Sequence, residues 1–375
     1  MKLSQTLLLL ATVLVSCSSN ARTSQNEENP VDTTENTVTL IFGGDLMQHQ
    51  PQINAAKTAT GYDYSDCFTL MKPEIERADL AIANFEVTLG GGPKYSGYPQ
   101  FNAPDEYLFA IQEAGFDVLT TCNNHSVDTR GKGIDRTILM MDSIGMPHLG
   151  TYRNQEERDA QYPFIIERNN IRICILNYTY GTNGIPVPKP YIVNALDTAI
   201  IAKDIKRARE LNPDVIICMP HWGDEYHLLP NEGQKRLANW MFEQGVDHII
   251  GGHPHVVEPI EVRESNNGPH LLAYSLGNYI SNQSRPNTDG GTMVRMTLTK
   301  RDGKTTLTDC GYCLYYVSRP VNSGRKQYRV IPASYPDDRL NATERAKRAT
   351  YLKATRDLFA KHNIGIKEYL QEVEK

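Results

Sequence analysis

Five polar motifs, each hung on the end of a short apolar run, constrain this chain more than any other feature. Leu40-Ile41-Phe42 runs into Gly44-Asp45, and Leu80-Ala81-Ile82 into Asn84-Phe85-Glu86. Val118-Leu119 leads to Asn123-Asn124-His125, Val215-Ile216-Ile217 to His221-Trp222-Gly223, and Ile249-Ile250 to Gly252-His253-Pro254-His255. Short apolar runs between turn signals read as buried strands. Strands that end in Asp, Glu, Asn and His can aim those side chains at one place. Oxygen and imidazole together are the donor mixture that suits Zn, Mn or Fe. Any one motif could be a turn; five in a recurring pattern point to a metal-dependent hydrolytic centre.

The rest of the chain supplies a frame. Strand-like runs fall at 38–42, 80–84, 116–121, 172–176, 215–219, 248–251, 270–276, 292–298 and 306–317. Amphipathic helical patterns lie between them at 64–77, 104–114, 131–143, 196–211 and 232–244. Early alternation of strand and helix predicts a parallel or mixed sheet, and the later strand-after-strand run predicts a second sheet packed on it. The expected class is α/β, a two-sheet sandwich with helices outside. Loops opening at Gly90-Gly91-Gly92-Pro93 and spanning 181–191 are candidates for the walls of a strand-end site. A charged helical pattern over 341–362 is expected to pack on the main domain.

The N-terminus reads as a targeting segment. Lys2 precedes an apolar core over 7–15, much shorter than the ~20 residues a membrane span needs, so a cleaved signal is expected. Leu14-Val15-Ser16-Cys17 resembles a bacterial lipobox, which implies lipidation at Cys17; the alternative is an ordinary signal with an incidental cysteine. Ser18 after Cys17 is similar to the pattern that favours the outer membrane of a Gram-negative cell. The expected division is a lipoprotein signal over 1–16, a polar flexible tether over 17–36, one domain over 37–318 and a C-terminal extension over 319–375. Net charge is −5 with both signs interspersed, so no basic block argues for nucleic acid. Cys67, Cys122, Cys174 and Cys218 read as buried thiols. Cys310 and Cys313 form a C-x-x-C, a disulfide or redox pair by spacing, but in an alternating strand they point to opposite faces.

The motif residues divide by chemistry. Gly43 and Gly44 let the backbone turn so that Asp45 sits at the sheet edge. Glu86 has two oxygens and can bridge two cations ~3.5–4 Å apart. Asn124 offers a neutral oxygen, and His125, directly after it, is better placed as a proton donor. His221, His253 and His255 supply imidazole. Asp128 is placed to orient His125. Glu225 could bind a metal, act as base, meet a substrate amine or form a loop salt bridge. Ser275 lacks a nucleophile elbow.

Gly-Asp, Asn-x-Glu, Asn-Asn-His-x-x-Asp, His-Trp-Gly-x-Glu and Gly-Gly-His-Pro-His-Val, followed by Ser275-Leu276-Gly277-Asn278, resemble the bacterial capsule-synthesis CapA family, linked to poly-γ-glutamate capsule production. That family is similar to calcineurin-like metallophosphoesterases. The resemblance implies a four-layer α/β/β/α sandwich with a dinuclear site. It implies Asp45 and His255 on the first metal, Glu86 bridging, Asn124, His221 and His253 on the second, and His125 as general acid. Two departures stand out: Leu46 and Met47 follow Asp45 where Asp-x-His is usual, with His49 a distant substitute, and Glu86 replaces a bridging Asp. The expected cofactor is therefore one divalent ion, or two, with Mn, Zn and Fe not distinguished.

The expected chemistry is attack of an activated water on phosphorus or an amide carbon, with His125 protonating the leaving oxygen or nitrogen. Three readings follow: a surface hydrolase acting on a phosphoester or a γ-glutamyl-type polymer, a non-catalytic capsule-assembly partner that keeps the fold and binds polymer or synthase subunits, and a binder of an anionic envelope polymer. The expected membrane contact is the lipid anchor on Cys17.

Overall fold

Alternation along the strands builds the layers. In the computed structural model, which describes residues 35–372 apart from 267, 323 and 324, the strand Asn36–Leu46 runs through the middle of a nine-stranded sheet. Its Val38, Leu40 and Phe42 join Leu80 and Ile82 on one face, whereas Ile41 joins Ala81 and Ala83 on the other. The period is 2, as a pleated strand with two covered faces requires. The first face shares a cluster with Ile173 and Ile175, Ile217 and Leu272 of a second, six-stranded sheet. That cluster extends to Ile201, Ile205, Ala238 and Met241 on the helices Thr198–Glu210 and Glu232–Glu243. The second face packs on Tyr107, Leu108 and Ile111 of Asp105–Glu113 and on Met141 of Arg130–Ser143. The order is helix, sheet, sheet, helix, as expected. Full burial of each such aliphatic side chain contributes about 1.5–3 kcal/mol, which makes this apolar interior the main support of the fold.

In the larger sheet, Asn36–Leu46, Leu80–Phe85, Val118–Thr120 and His148–Leu149 are parallel neighbours, and Gly290–Arg301 and Lys304–Ser318 extend it antiparallel. In the smaller sheet Ile171–Thr179, Val215–His221, His248–Ile250 and His270–Ala273 run parallel. The parallel arrangement collects carboxyl ends, and with them the five polar motifs, at one edge.

Two elements differ from the periodicity. The helical pattern over 64–77 breaks into Ser65–Phe68 and Lys72–Ile75, because Pro73 cannot donate a helical hydrogen bond and is tolerated only in a first turn. The strand expected over 270–276 stops at Ala273. Residues 274–277 then cross to the other sheet, where Asn278–Ile280 pairs parallel with Asn36–Leu46. Gly277, at φ +71, makes the crossing turn, and its N–H is received by Ser275 Oγ at 3.2 Å.

After residue 318, Arg329–Pro332 and Lys367–Glu368 add to Lys304–Ser318. The helix Ala342–His362, capped by Asn341 accepting from the Glu344 N–H, sets Phe359 on Tyr312 and Tyr351 on Tyr316. Cys313 is buried and Cys310 half-buried, and both are free thiols. Cys17, the signal and most of the tether lie outside the described residues.

Candidate metal centre

Asp45 leaves its strand between two close backbone contacts. Its N–H donates to Gly277 O at 3.0 Å, and a Cβ on the preceding Gly44 would collide with that same carbonyl. Only glycine fits there, which fixes where the Asp45 carboxylate points. Across the register Asp45 faces Asn84 on one side and Asn278 on the other. Asn84 Nδ2 donates to Asp45 Oδ1 at 2.8 Å and lies 3.2 Å from Glu86 Oε2. Its Oδ1 accepts from Asn123 Nδ2 at 3.0 Å. One buried amide thus holds both carboxylates.

The imidazoles arrive from the smaller sheet. His221 ends its strand, and its Nε2 lies 2.8 Å from Asn124 Oδ1, so the motifs of the two sheets touch. Gly252 passes so close that a Cβ would lie 3.0 Å from Asp45 Oδ1. His253 and His255 then take φ values of +103 and +60, uncommon for non-glycine residues and concentrated at functional sites. His255 Nδ1 lies 3.0 Å from Asn278 Oδ1 and 3.3 Å from Asp45 Oδ2. The His253 ring lies 4.8 Å from that of His221 and 4.5 Å from Tyr180.

Two triads of donors result. Asp45, Glu86 and His221, all buried, have ligand atoms within 4.8 Å of one another, and so do His253, His255 and the exposed Glu225. Other contacts cut across the two triads: His255 Nδ1 lies 3.3 Å from Asp45 Oδ2 and its Nε2 3.8 Å from Glu86 Oε1, while His221 lies beside Asn124 and His253. Glu86 Oε1 and His253 Nδ1 are buried without a hydrogen-bond partner. Buried polar atoms rarely stay unpaired, and free lone pairs in such a cluster fit a divalent cation. Asn124 adds a neutral oxygen beside His221.

The electrostatics divide the donors: Asp45, His221 and His253 are held in their metal-binding forms, whereas without a cation Glu86 and His255 are pushed toward protonation. Burial drives the Glu86 pKa well above the usual carboxylate range, and the nearby Asp45 charge drives it further. Burial also works against the Asp45 charge, but the hydrogen bond from His255 and the flanking imidazoles outweigh it and bring the pKa down to about 2. Burial lowers His221 to about 4 and His253 to about 2, which keeps both neutral, the form that binds metals. At His255 burial favours the neutral ring, but Glu86 and Asp45 prevail and raise its pKa.

His125 stands beside the triads rather than in them. Its Nδ1 lies 2.7 Å from Asp128 Oδ2, and its ring packs edge-on against Phe101 at 4.5 Å. Asp128 Oδ2 also accepts the Phe101 N–H at 2.7 Å, so the carboxylate fixes both. The Nε2 side faces Asn183 Nδ2 at 3.5 Å, on the loop expected to wall the site. His49 does not join either triad: it packs on Phe101, and its Nδ1 accepts the Asn282 N–H at 3.3 Å. The position two after Asp45 is the buried Met47.

Asn84 and Tyr180 received no role of their own from sequence, whereas Asn183 lies on the loop expected to wall the site and Asn278 in the motif that follows the last histidines. Asn84 had a signal in the sequence: an amide inside a continuous buried strand must find partners. Tyr180 had none, because only the loop's path brings it over the site.

A sandwich whose strand ends carry buried carboxylates, amides and imidazoles around unpaired lone pairs defines a class with a candidate cation site at that edge. Within that class, the chain belongs to the bacterial capsule synthesis protein family PGA_cap, whose profile matches residues 39–283. It is similar to the capsule biosynthesis protein CapA of Bacillus anthracis, 28% identical over 313 residues that cover 80% of this chain and 73% of that protein. It is similar also to the PGA biosynthesis protein CapA of Bacillus subtilis, 27% identical over 274 residues covering 71% and 69%. Among solved structures, the NAD nucleotidase of Haemophilus influenzae aligns with a TM-score of 0.49 at 13% identity, covering 91% of this chain and 65% of that one. A calcineurin-like phosphoesterase of Bacillus subtilis aligns with a TM-score of 0.46 at 14% identity, covering 75% and 91%.

Proposed function

We propose that this protein is a metal-dependent hydrolase of the cell envelope that acts in the biosynthesis of a capsular polymer, on a phosphoester or a γ-glutamyl-type bond. The observation that carries the reading is the pair of donor triads, with Glu86 Oε1 and His253 Nδ1 buried and unpaired, next to the His125–Asp128 pair. Asp45, Glu86, His221 and Asn124 would hold one ion, and His253, His255 and Glu225 a second. Such ions supply Lewis acidity and an activated water at neutral pH.

The chain's own residues do the remaining work. Asp128 holds His125 by Nδ1, which leaves Nε2 to carry a proton to the leaving atom. Asn84 donates to both carboxyl groups and keeps them at a fixed separation. Tyr180 packs on His253, and Asn183 faces His125 and Asn124 from the neighbouring loop.

Family membership and the CapA relatives support envelope work. Among the described residues no helix is long and apolar enough to cross a membrane. The lipobox-like Cys17 supports attachment through a lipid anchor in the outer membrane. The partners this implies are an anionic envelope polymer or phosphoester as substrate, with capsule synthase subunits nearby.

A second reading, a non-catalytic capsule-assembly partner that keeps the fold, is favoured by Met47, which stands where related centres carry a ligand histidine. One experiment separates the two. Purified protein is analysed for Mn, Zn and Fe, then offered a generic phosphodiester and poly-γ-glutamate, with and without added metal. Stoichiometric metal and metal-dependent cleavage are expected; metal without cleavage of either substrate leaves the second reading standing.

A further inference from the structure

Arg285 lies on the loop that follows Asn278–Ile280, and its guanidinium carbon sits 4.3 Å from the centre of the Tyr226 ring. Tyr226 lies on the site side of this contact. Its ring is 6.1 Å from that of His255, and its backbone N–H donates to Pro254 O at 2.8 Å, between the two metal-triad histidines. The cation is therefore one aromatic ring removed from the centre, on the solvent side.

The loop is tied to the site as well. Asn278, which holds His255 Nδ1, donates to Gln283 Oε1 at 2.8 Å, and Gln283 Nε2 reaches Tyr226 Oη at 3.4 Å. Thr288 Oγ1 closes the loop on Arg285 O at 2.7 Å. The neighbouring cation Arg319 is neutralised by Asp289 at 3.4 Å, whereas Arg285 pairs with no carboxylate among the described residues. A guanidinium stacked on an aromatic face keeps its N–H edge free, and that edge matches a carboxylate or phosphate.

We infer that Arg285, supported by Tyr226, is an anion subsite that binds the negative group of the substrate unit next to the bond being cut. This rests on the hydrolase reading only for what happens to the bound chain; the subsite itself is a binding claim. An unpaired cation beside the site attracts anions, so it favours substrates that bear a negative charge on the adjoining unit.

The test is binding, by fluorescence anisotropy, of labelled poly-γ-glutamate, polyphosphate and neutral dextran to the full metal-loaded chain. The proteins are the wild type, Arg285→Ala and Arg285→Lys. Arg285→Ala should weaken polyanion binding about tenfold at low salt, Arg285→Lys should restore part of it, and the difference should shrink as salt rises. Preference for poly-γ-glutamate identifies the carboxylate as the ligand, and preference for polyphosphate the phosphate. Equal binding by Arg285→Ala, or dextran bound as well as the polyanions, overturns the subsite, as does a wild type that binds neither polyanion. Absence of turnover with Arg285-dependent binding intact overturns the hydrolase reading alone. Metal content, measured on each variant, should not change.

Discussion

The two donor triads are built differently. Asp45 and His221 lie in strands and Glu86 directly follows one; all three are buried, with Asn84 bonded to both carboxylates. His253, His255 and Glu225 sit on irregular backbone: two histidines in the left-handed region and a carboxylate on a turn open to solvent. The inner triad is set by sheet register, so its geometry exists before any ion arrives. The outer triad depends on loops, and loops can move. The comparison teaches that the inner position should bind tightly and the outer one should be the exchangeable position nearest the substrate.

The largest effect should come from the inner triad. Asp45→Ala or His221→Ala should abolish metal content at that position and lower turnover by on the order of 10³-fold or more, read by metal analysis and by phosphodiester cleavage. If Glu225→Gln strips the protein of metal as completely, the contrast between the triads is wrong. His125→Ala should cost roughly 10²–10⁴-fold in turnover with metal content intact, and Asp128→Asn a smaller part of the same loss. Metal loss in His125→Ala would place that residue among the ligands instead.

Glu225→Gln is expected to weaken one equivalent of metal by on the order of 10–100-fold, the size seen when a group supporting a metal is removed, and to leave the other equivalent untouched. A titration with two resolved affinities in the wild type and one shifted in the variant would sharpen the comparison. A separate effect concerns stability away from the ions. Burial raises the Glu258 pKa from 4.5 to about 8, and Asp224 adds to it, while the hydrogen bond from Gln234 opposes both. Folded Glu258 therefore stays protonated while the unfolded chain ionises. Its contribution is complete below pH 4.5 and is lost as pH rises toward 8, at ~1.4 kcal/mol per unit. Glu258→Gln should gain melting temperature over the wild type across that window. A constant difference between the two at all pH values would sink the assignment.

Much of this was legible because chemistry and fold share one signal. An apolar run followed by Asp, Glu, Asn or His marks a strand end, and parallel strands put their ends together; Asp45, Glu86, Asn124, His221, His253 and His255 could be read that way. Asn84 escaped because its role appears only when Asp45 and Glu86 are adjacent, a fact of register rather than of local pattern. Glu225 stayed ambiguous because a carboxylate on a turn has several uses until its neighbours are fixed. The crossing at 274–277 escaped for a different reason: the apolar character continues through Leu276, and the stop lies in hydrogen bonds to other strands.

That crossing has a consequence for how the molecule ages and varies. Gly277 O receives the Asp45 N–H, and the Leu276 N–H reaches Gly251 O at 3.3 Å, so a single tetrapeptide is bolted to both halves of the ligand set. The gap between carboxylates and imidazoles is thus a length written in main chain. Substitutions in the greasy interior are therefore expected to change how hard the protein is to melt more than how these two attachment points are spaced.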